Sequence, residues 1–220
     1  MVLASHVIFS AYGFWLPNDP RGSWSDFVYA WELFRFGPAT KVTTRRSVAA
    51  RPHNRAARLA AKEALTYPAV QFTGLQALSV ARAFQRVIHD YAYLVYACSI
   101  LPEHVHMVIA RHHYDVEQVV RALKQAATEK LVEDRLHPLA RYRTRDGKTP
   151  TPWARKCWHV FLDDPADIHR AVAYVERNPE KEGKKPQHWS FTTDPTTVDL
   201  RSTAKQALLK AKTWPFTPPV

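Results

Sequence analysis

From Gly74 onward the apolar residues change period in a fixed order, and that order narrows the possible folds more than any other feature of the chain. Val80, Phe84, Val87, Ile88 and Tyr91 fall on one stripe of an amphipathic helix. A strand is predicted over about 93–100, and "LPEH", with Pro102 in the connection, turns the chain back into a second strand, "HVHMVIA". Val116, Val119, Val120, Leu123, Ala127 and Leu131 then restore the helical period, with Arg121, Lys124 and Thr128 on the other side. After a basic loop from about Leu136 to Lys156, "CWHVFLDD" reads as a last strand. "DDPADIHRAVAYVERNP" reads as a helix, with Asp164 as N-cap, Pro165 and Asp167 in its first turn, and an expected stop before Pro179. Upstream, residues 5–13 alternate, with Val7, Phe9 and Ala11 on one face and His6, Ile8, Ser10 and Tyr12 on the other.

This order is that of an α+β fold, a ferredoxin-like βαββαβ sheet with helices on one face and an added C-terminal helix that carries Tyr174. One domain is expected over 1–220, with a basic, proline-punctuated insertion at 14–73 and a C-terminal tail at 193–220. Within the insertion, "NRAARLAAKEALTY" is the convincing helix. Helices packed on one side leave the opposite sheet face open for a site, and His104 and His106 are predicted to lie there.

The charge is strongly unbalanced, with 31 Lys and Arg against 20 Asp and Glu, and a polyanion is the expected partner. The excess is also local. Between Ala39 and Lys62 seven basic residues meet no acid, and a second cluster from Arg141 to Lys156 is opposed only by Asp146. Arg21, Lys41, Arg45, Arg46, Arg55, Arg58, Lys124, Arg143, Arg145 and Lys156 are the candidate residues for binding that polyanion. Trp15, Trp24 and Trp31 either stack on bases or fill a core. No apolar run approaches the length of a membrane helix, the N-terminus reads as a strand, and a cytoplasmic protein is expected. Cys98 and Cys157 are too few for a disulfide framework or a four-sulfur zinc site and read as two reduced thiols.

His104 and His106 flank one valine, so on a strand both imidazoles project from one face, a two-point metal clamp that needs at least one further ligand. His6 adds polarity to that face if the strands pair side by side. On the last helix Tyr174 and Asn178 are four residues apart and share a face, at the flank of the stripe centred on Ile168, Val172 and Val175. An amide oxygen at Asn178 is a candidate hard-cation ligand, and Tyr174 a candidate nucleophile for a metal-polarised phosphate. The same spacing equally describes a hydrogen-bonded histidine pair, a packed tyrosine and an asparagine that ends a helix.

"PEHVHMV" resembles the HUH motif of histidine, hydrophobic residue, histidine, and "AVAYVERNPEKEG" resembles the Tyr-x-x-x-Asn-Pro helix of the REP-associated tyrosine transposases, relatives of the single-tyrosine transposases of small insertion sequences. "YGFWLPNDPRGSW" and "PWARKCWHVFLDD" resemble further segments of one branch, so the similarity runs over most of residues 5–192. The resemblance implies that Tyr174 attacks a phosphodiester of single-stranded DNA, leaving a 5′-phosphotyrosine and a free 3′-OH. A later 3′-OH reverses the step, so no nucleotide cofactor is needed. It further implies that His104, His106 and Asn178 hold Mg²⁺ or Mn²⁺, that the DNA carries hairpin-forming repeats, and that the protein acts as a monomer or a homodimer. The chain departs from the family in having Glu103 where asparagine is common, and in reading "NPEKEG" from Asn178 to Gly183 where Asn-Pro-Val-Lys-Ala-Gly is usual. Neither departure falls on an expected chemical group. Rival readings are a non-catalytic DNA-hairpin-binding descendant, a zinc-dependent phosphodiester hydrolase that survives loss of Tyr174, and an RNA-binding βαββαβ module, which the histidine strand's lack of stacking aromatics disfavours.

Overall fold

A computed structural model of the chain describes residues 1–17, 19, 28, 31–37 and 54–213. In chain order its elements are β1 (Ala4–Ser10), a 3-10 helix (Trp31–Phe36), α1 (Arg55–Glu63), α2 (Gly74–Asp90), β2 (Val95–Ile100), β3 (His104–Ala110), α3 (Val116–Glu133), β4 (Trp158–Leu162), α4 (Pro165–Lys181), a short 3-10 turn (Pro195–Thr197) and α5 (Leu200–Thr213). They fall into two compact units. One holds Met1–Phe9, Phe72–His137 and Arg155–Val220, and the other Ser10–Gln71 and Pro138–Ala154. The second unit takes in most of the expected insertion at 14–73 together with the basic loop at 138–154.

In the first unit the strands lie in the order β2-β3-β1-β4, the ferredoxin-like arrangement. β1 runs antiparallel to β4 with His6 opposite Val160, and β2 antiparallel to β3 with Ser99 opposite His106. The hairpin between β2 and β3 closes where the Leu101 N–H donates to the His104 carbonyl, at 2.9 Å. α2 begins at a reciprocal cap, in which the Thr73 hydroxyl accepts from the Gln76 N–H and the Gln76 side chain accepts from the Thr73 N–H. Its stripe is buried as predicted, with Val80 and Phe84 fully enclosed and Phe84 packed edge to face against Phe9 of β1. α2 and α3 thus cover the face that bears Val7 and Phe9.

The opposite face is not open. Ala4, Val108, Ala110 and Leu162 pack there against Ile168, Ala171, Val172 and Val175 of α4 and against Leu200 and Ala204 of α5. The apolar stripe of α4 must itself be removed from water, and the sheet is the surface that does so. The expected tail at 193–220 consequently contributes a helix to this core. Ahead of α5, the Gln187 side chain both accepts from the Ile100 N–H and donates to the Ile100 carbonyl, and Thr193 N–H donates to the Val95 carbonyl, so the outer edge of β2 is paired.

α4 also runs further than its proline predicts. Asp164 caps it as expected, accepting from the Ala166 N–H at 2.7 Å. Pro179 sits inside the last turn, where its missing N–H removes a single bond, and the helix closes at Gly183. There the Lys184 N–H donates to the Pro179 carbonyl and the Gly183 N–H to the Glu180 carbonyl, a Schellman pair that Gly183 permits by adopting φ +66°. Asn178, Lys181 and Glu182 therefore stay in register with Tyr174.

In the second unit β1 gives way at Ser10 to an isolated bridge between Ala11 and Trp153, so the strand is shorter than the predicted 5–13. The turn that follows requires Gly13, whose φ is +80° and where a Cβ would stand 2.8 Å from Ala69 Cβ and Leu65 Cδ1. Asn54 caps α1 by accepting from the Ala57 N–H, and Leu16, Leu33 and Ala61 form a small core.

Candidate active site

The histidines are held by the pleat of β3. Alternation aims His104, His106, Val108 and Ala110 at one face; the last two enter the core under α4 and α5, and the first two continue the same row toward the C-terminal end of α4. Both rings are buried, at 7% and 4% exposure, with centroids 4.9 Å apart. His6, on the neighbouring β1, completes a trio. Its Nε2 lies 3.2 Å from His106 Nδ1, and the two rings stack at 5.4 Å. Trp158, opposite Ile8 in the β1–β4 register, meets the other side of His6 edge-on.

α4 brings the rest. The Tyr174 ring stands 5.6 Å from that of His106 and 5.7 Å from that of His6, both edge to face, while 43% of the residue remains exposed. One turn on, Asn178 is buried at 6% exposure, and among the described residues its amide nitrogen has no hydrogen-bond partner. The ammonium of Lys181 sits 4.3 Å above the Tyr174 ring. Glu182 Oε1 lies 3.6 Å from His104 Nε2.

Burial sets the protonation states. It pulls His6 down to about 4, and it drives His106 well below the usual histidine range, helped by the neighbouring His104, His6 and Lys181. At neutral pH both rings are therefore uncharged, the form that binds a cation. The Tyr174 hydroxyl is pushed up, first by burial and then by the charge of Glu182.

Among the described residues no three His, Cys, Asp or Glu side chains are gathered to hold a metal. The set that the sequence suggested contains an amide instead of a third such group. His104 and His106 on one strand face and the buried Asn178 on α4 offer two imidazole nitrogens and an amide oxygen, donors that suit a divalent cation.

The candidate DNA-binding residues divide. Arg21, Lys41, Arg45 and Arg46, like Trp24, lie outside the described residues. Arg55, Arg143, Arg145 and Lys156 are exposed, Arg58 is half-buried. Lys124 is not displayed as a surface charge. It is half-buried over the Phe9 ring, donates to the Lys156 carbonyl at 2.5 Å, and burial lowers its ammonium to about 8. Helical spacing assigned it to the polar side without showing that the sheet reaches round to cover it.

Lys181 and Glu182 are the residues that sequence reasoning left without a role. Glu182 was visible as the next member of the i, i+4 series begun by Tyr174 and Asn178, but an expected helix stop at Pro179 removed both from the site. His6 was placed on the same face as His104 and His106, on the condition that the strands pair side by side, but its contact with His106 was not foreseen.

A family model described as "Transposase IS200 like" matches residues 66–178, just over half the chain and a span that includes His104, His106, Tyr174 and Asn178. The chain belongs to this family of transposases. No curated protein sequence matches it. Among solved structures it is similar to a REP-associated tyrosine transposase bound to a REP hairpin, at 14% identity and a TM-score of 0.43, covering 82% of this chain and 68% of that one. It is also similar to a transposase structure from Deinococcus radiodurans R1, at 11% identity and a TM-score of 0.38, covering 80% of this chain and 92% of that one. Among the described residues no helix is long and apolar enough to cross a membrane.

Proposed function

We propose that this transposase is a metal-dependent single-stranded DNA endonuclease and strand transferase of the REP-associated, single-tyrosine type, with Tyr174 as its nucleophile. The observation that carries the reading is the placement of one accessible tyrosine at the rim of a histidine cluster. Tyr174 is 43% exposed and its ring stands 5.6 Å from that of His106 and 5.7 Å from that of His6, so a phosphate that reaches the phenol lies beside the imidazoles.

In the forward step the Tyr174 oxygen attacks the scissile phosphorus, a new O–P bond forms, and the bond to the 3′ oxygen breaks. The phenol proton passes to solvent, and the departing 3′ oxygen takes up a proton to become a 3′-OH. The product is a 5′-phosphotyrosine, and attack by another 3′-OH exchanges the same bonds in reverse. His104, His106 and Asn178 would hold Mg²⁺ or Mn²⁺, which when bound polarises and orients the scissile phosphate. His6 orients His106: if His106 donates its Nδ1–H to His6 Nε2, the Nε2 lone pair of His106 is left for the cation. Lys181, above the tyrosine ring, favours the developing phenolate.

Exposed Arg145 and Lys148 project from a turn closed by the Thr144 N–H to the Lys148 carbonyl and by Gly147 at φ +78°, which suits a strand's phosphates. Hairpin-forming repeats are the proposed substrates, on the family resemblance.

The test incubates purified protein with labelled single-stranded oligonucleotides from repeats flanking its gene, with and without Mg²⁺ or Mn²⁺, and scores a covalent protein–DNA adduct on denaturing gels. A metal-dependent adduct that Tyr174→Phe abolishes is expected. Binding without an adduct would assign the chain to hairpin binding alone, and cleavage that survives Tyr174→Phe would assign it to a water-activating hydrolase.

A further inference from the structure

We propose that Glu182 is an additional ligand of the cation at His104 and His106, so that this chain closes its site with a carboxylate one helical turn beyond Asn178. The inference rests on the metal-dependent reading above. It deepens that reading, because two imidazoles and an amide carry no charge, and a carboxylate changes both the affinity of the site and its net charge.

Geometry comes first. Tyr174, Asn178 and Glu182 stand at i, i+4 and i+8 of α4, one row facing the histidine end of β3. The Schellman closure at Gly183 keeps Glu182 on that row. Its Oε1 lies 3.6 Å from His104 Nε2, longer than the roughly 2.8–3.0 Å between neighbouring ligands of an octahedral cation, so the carboxylate is close to the site and must still move in by a fraction of an ångström. The three groups His104, His106 and Glu182 are not gathered about one point in the structure. The glutamate side chain is 40% exposed, so rotation of its own torsions supplies the remaining approach without moving the backbone.

Electrostatics points the same way. Glu182 caps the C-terminus of α4, where the helix dipole opposes a negative charge. It also stands beside a tyrosine that must lose a proton and beside the place where a phosphate must dock. In all three respects the negative charge of the carboxylate works against the reaction. A divalent cation at His104 reverses each of these effects, since the carboxylate then neutralises charge that the two histidines and the amide leave unbalanced. Glu180, two residues earlier on the same turn and likewise exposed, shows no such contact with the histidines, which makes it a control for charge without coordination.

The experiment titrates Mn²⁺ into the full-length protein and follows free Mn²⁺ by electron paramagnetic resonance, for wild type, Glu182→Gln, Glu180→Gln and His106→Ala, with circular dichroism on each variant. Glu182 is exposed and glutamine keeps its shape, so Glu182→Gln is expected to fold. The expected result is Mn²⁺ binding by wild type, loss in His106→Ala, weakening by at least about tenfold in Glu182→Gln and by less than about twofold in Glu180→Gln. Wild-type affinity in Glu182→Gln together with loss in His106→Ala would overturn the role of Glu182 and leave the cation site standing. Equal weakening in Glu182→Gln and Glu180→Gln would reduce Glu182 to a distant charge and overturn it too. No Mn²⁺ binding by wild type would overturn the metal-dependent reading and this inference together.

Discussion

His6 Nε2 and His106 Nδ1 lie 3.2 Å apart, so two histidines a hundred residues apart in sequence share one hydrogen bond across neighbouring strands. If His106 donates from Nδ1, its Nε2 is the nitrogen that would face the proposed cation. His6→Phe keeps the ring that packs between Trp158 and Tyr174 and removes the hydrogen-bonding nitrogen. Adduct formation is expected to fall about 10- to 100-fold, with partial recovery at raised Mn²⁺. Unchanged rates and metal dependence in this variant would show that His6 orients nothing.

Lys181 places a positive charge 4.3 Å above the ring of Tyr174, whose hydroxyl burial already makes harder to ionise. Lys181→Gln removes the charge that opposes this effect. The phenol is then harder to ionise, so the rising limb of the pH–rate profile for adduct formation is expected to move to higher pH, by up to about one unit. A profile that stays in place while binding weakens would make Lys181 a phosphate contact instead.

Arg145 is exposed beside the turn formed by Thr144 and Lys148, with no acid but Asp146 near it in sequence. Arg145→Ala is expected to weaken single-stranded DNA binding across all sequences and to lower the slope of log affinity against log salt by about 0.7 to 1. An unaltered slope, measured by fluorescence anisotropy over a salt series, would remove Arg145 from the DNA contact.

His112 lies away from the histidine trio, packed edge-on against Tyr93, and its Nδ1 accepts from the Tyr114 N–H. Burial first, and the nearby His113 second, lower it to about 4. The unfolded chain, with an ordinary histidine near 6.5, therefore binds a proton that the folded chain refuses. Stability is complete above about pH 6.5 and falls progressively as pH drops toward 4. Because the residue is only partly enclosed, its share is on the order of 1 kcal/mol. Urea unfolding at pH 7 and pH 4.5 is expected to give a smaller loss of stability in His112→Gln than in wild type. Equal losses in the two proteins would refute the assignment.

The sequence by itself determined the element order, the βαββαβ class and the two stripes that became the helical layer of α2 and α3. These follow from local periodicity, and periods of 2 and 3.6 survive in any tertiary context that buries one face. It also determined the candidate chemistry, because His104 and His106 must share a strand face, and Tyr174 and Asn178 a helix face, whatever surrounds them. Three things needed the tertiary structure. The pairing of β1 beside β3 put His6 against His106, a contact that no spacing in the chain encodes. The Schellman closure carried α4 past Pro179, because a proline in the last turn costs one hydrogen bond while the buried stripe of α4 supports the whole helix. That closure brought Lys181 and Glu182 to a site from which the proline had seemed to exclude them. Finally, the packing of α4 and α5 on the second sheet face buried His106, and burial, which depends on every neighbour at once, is the main cause that holds it uncharged.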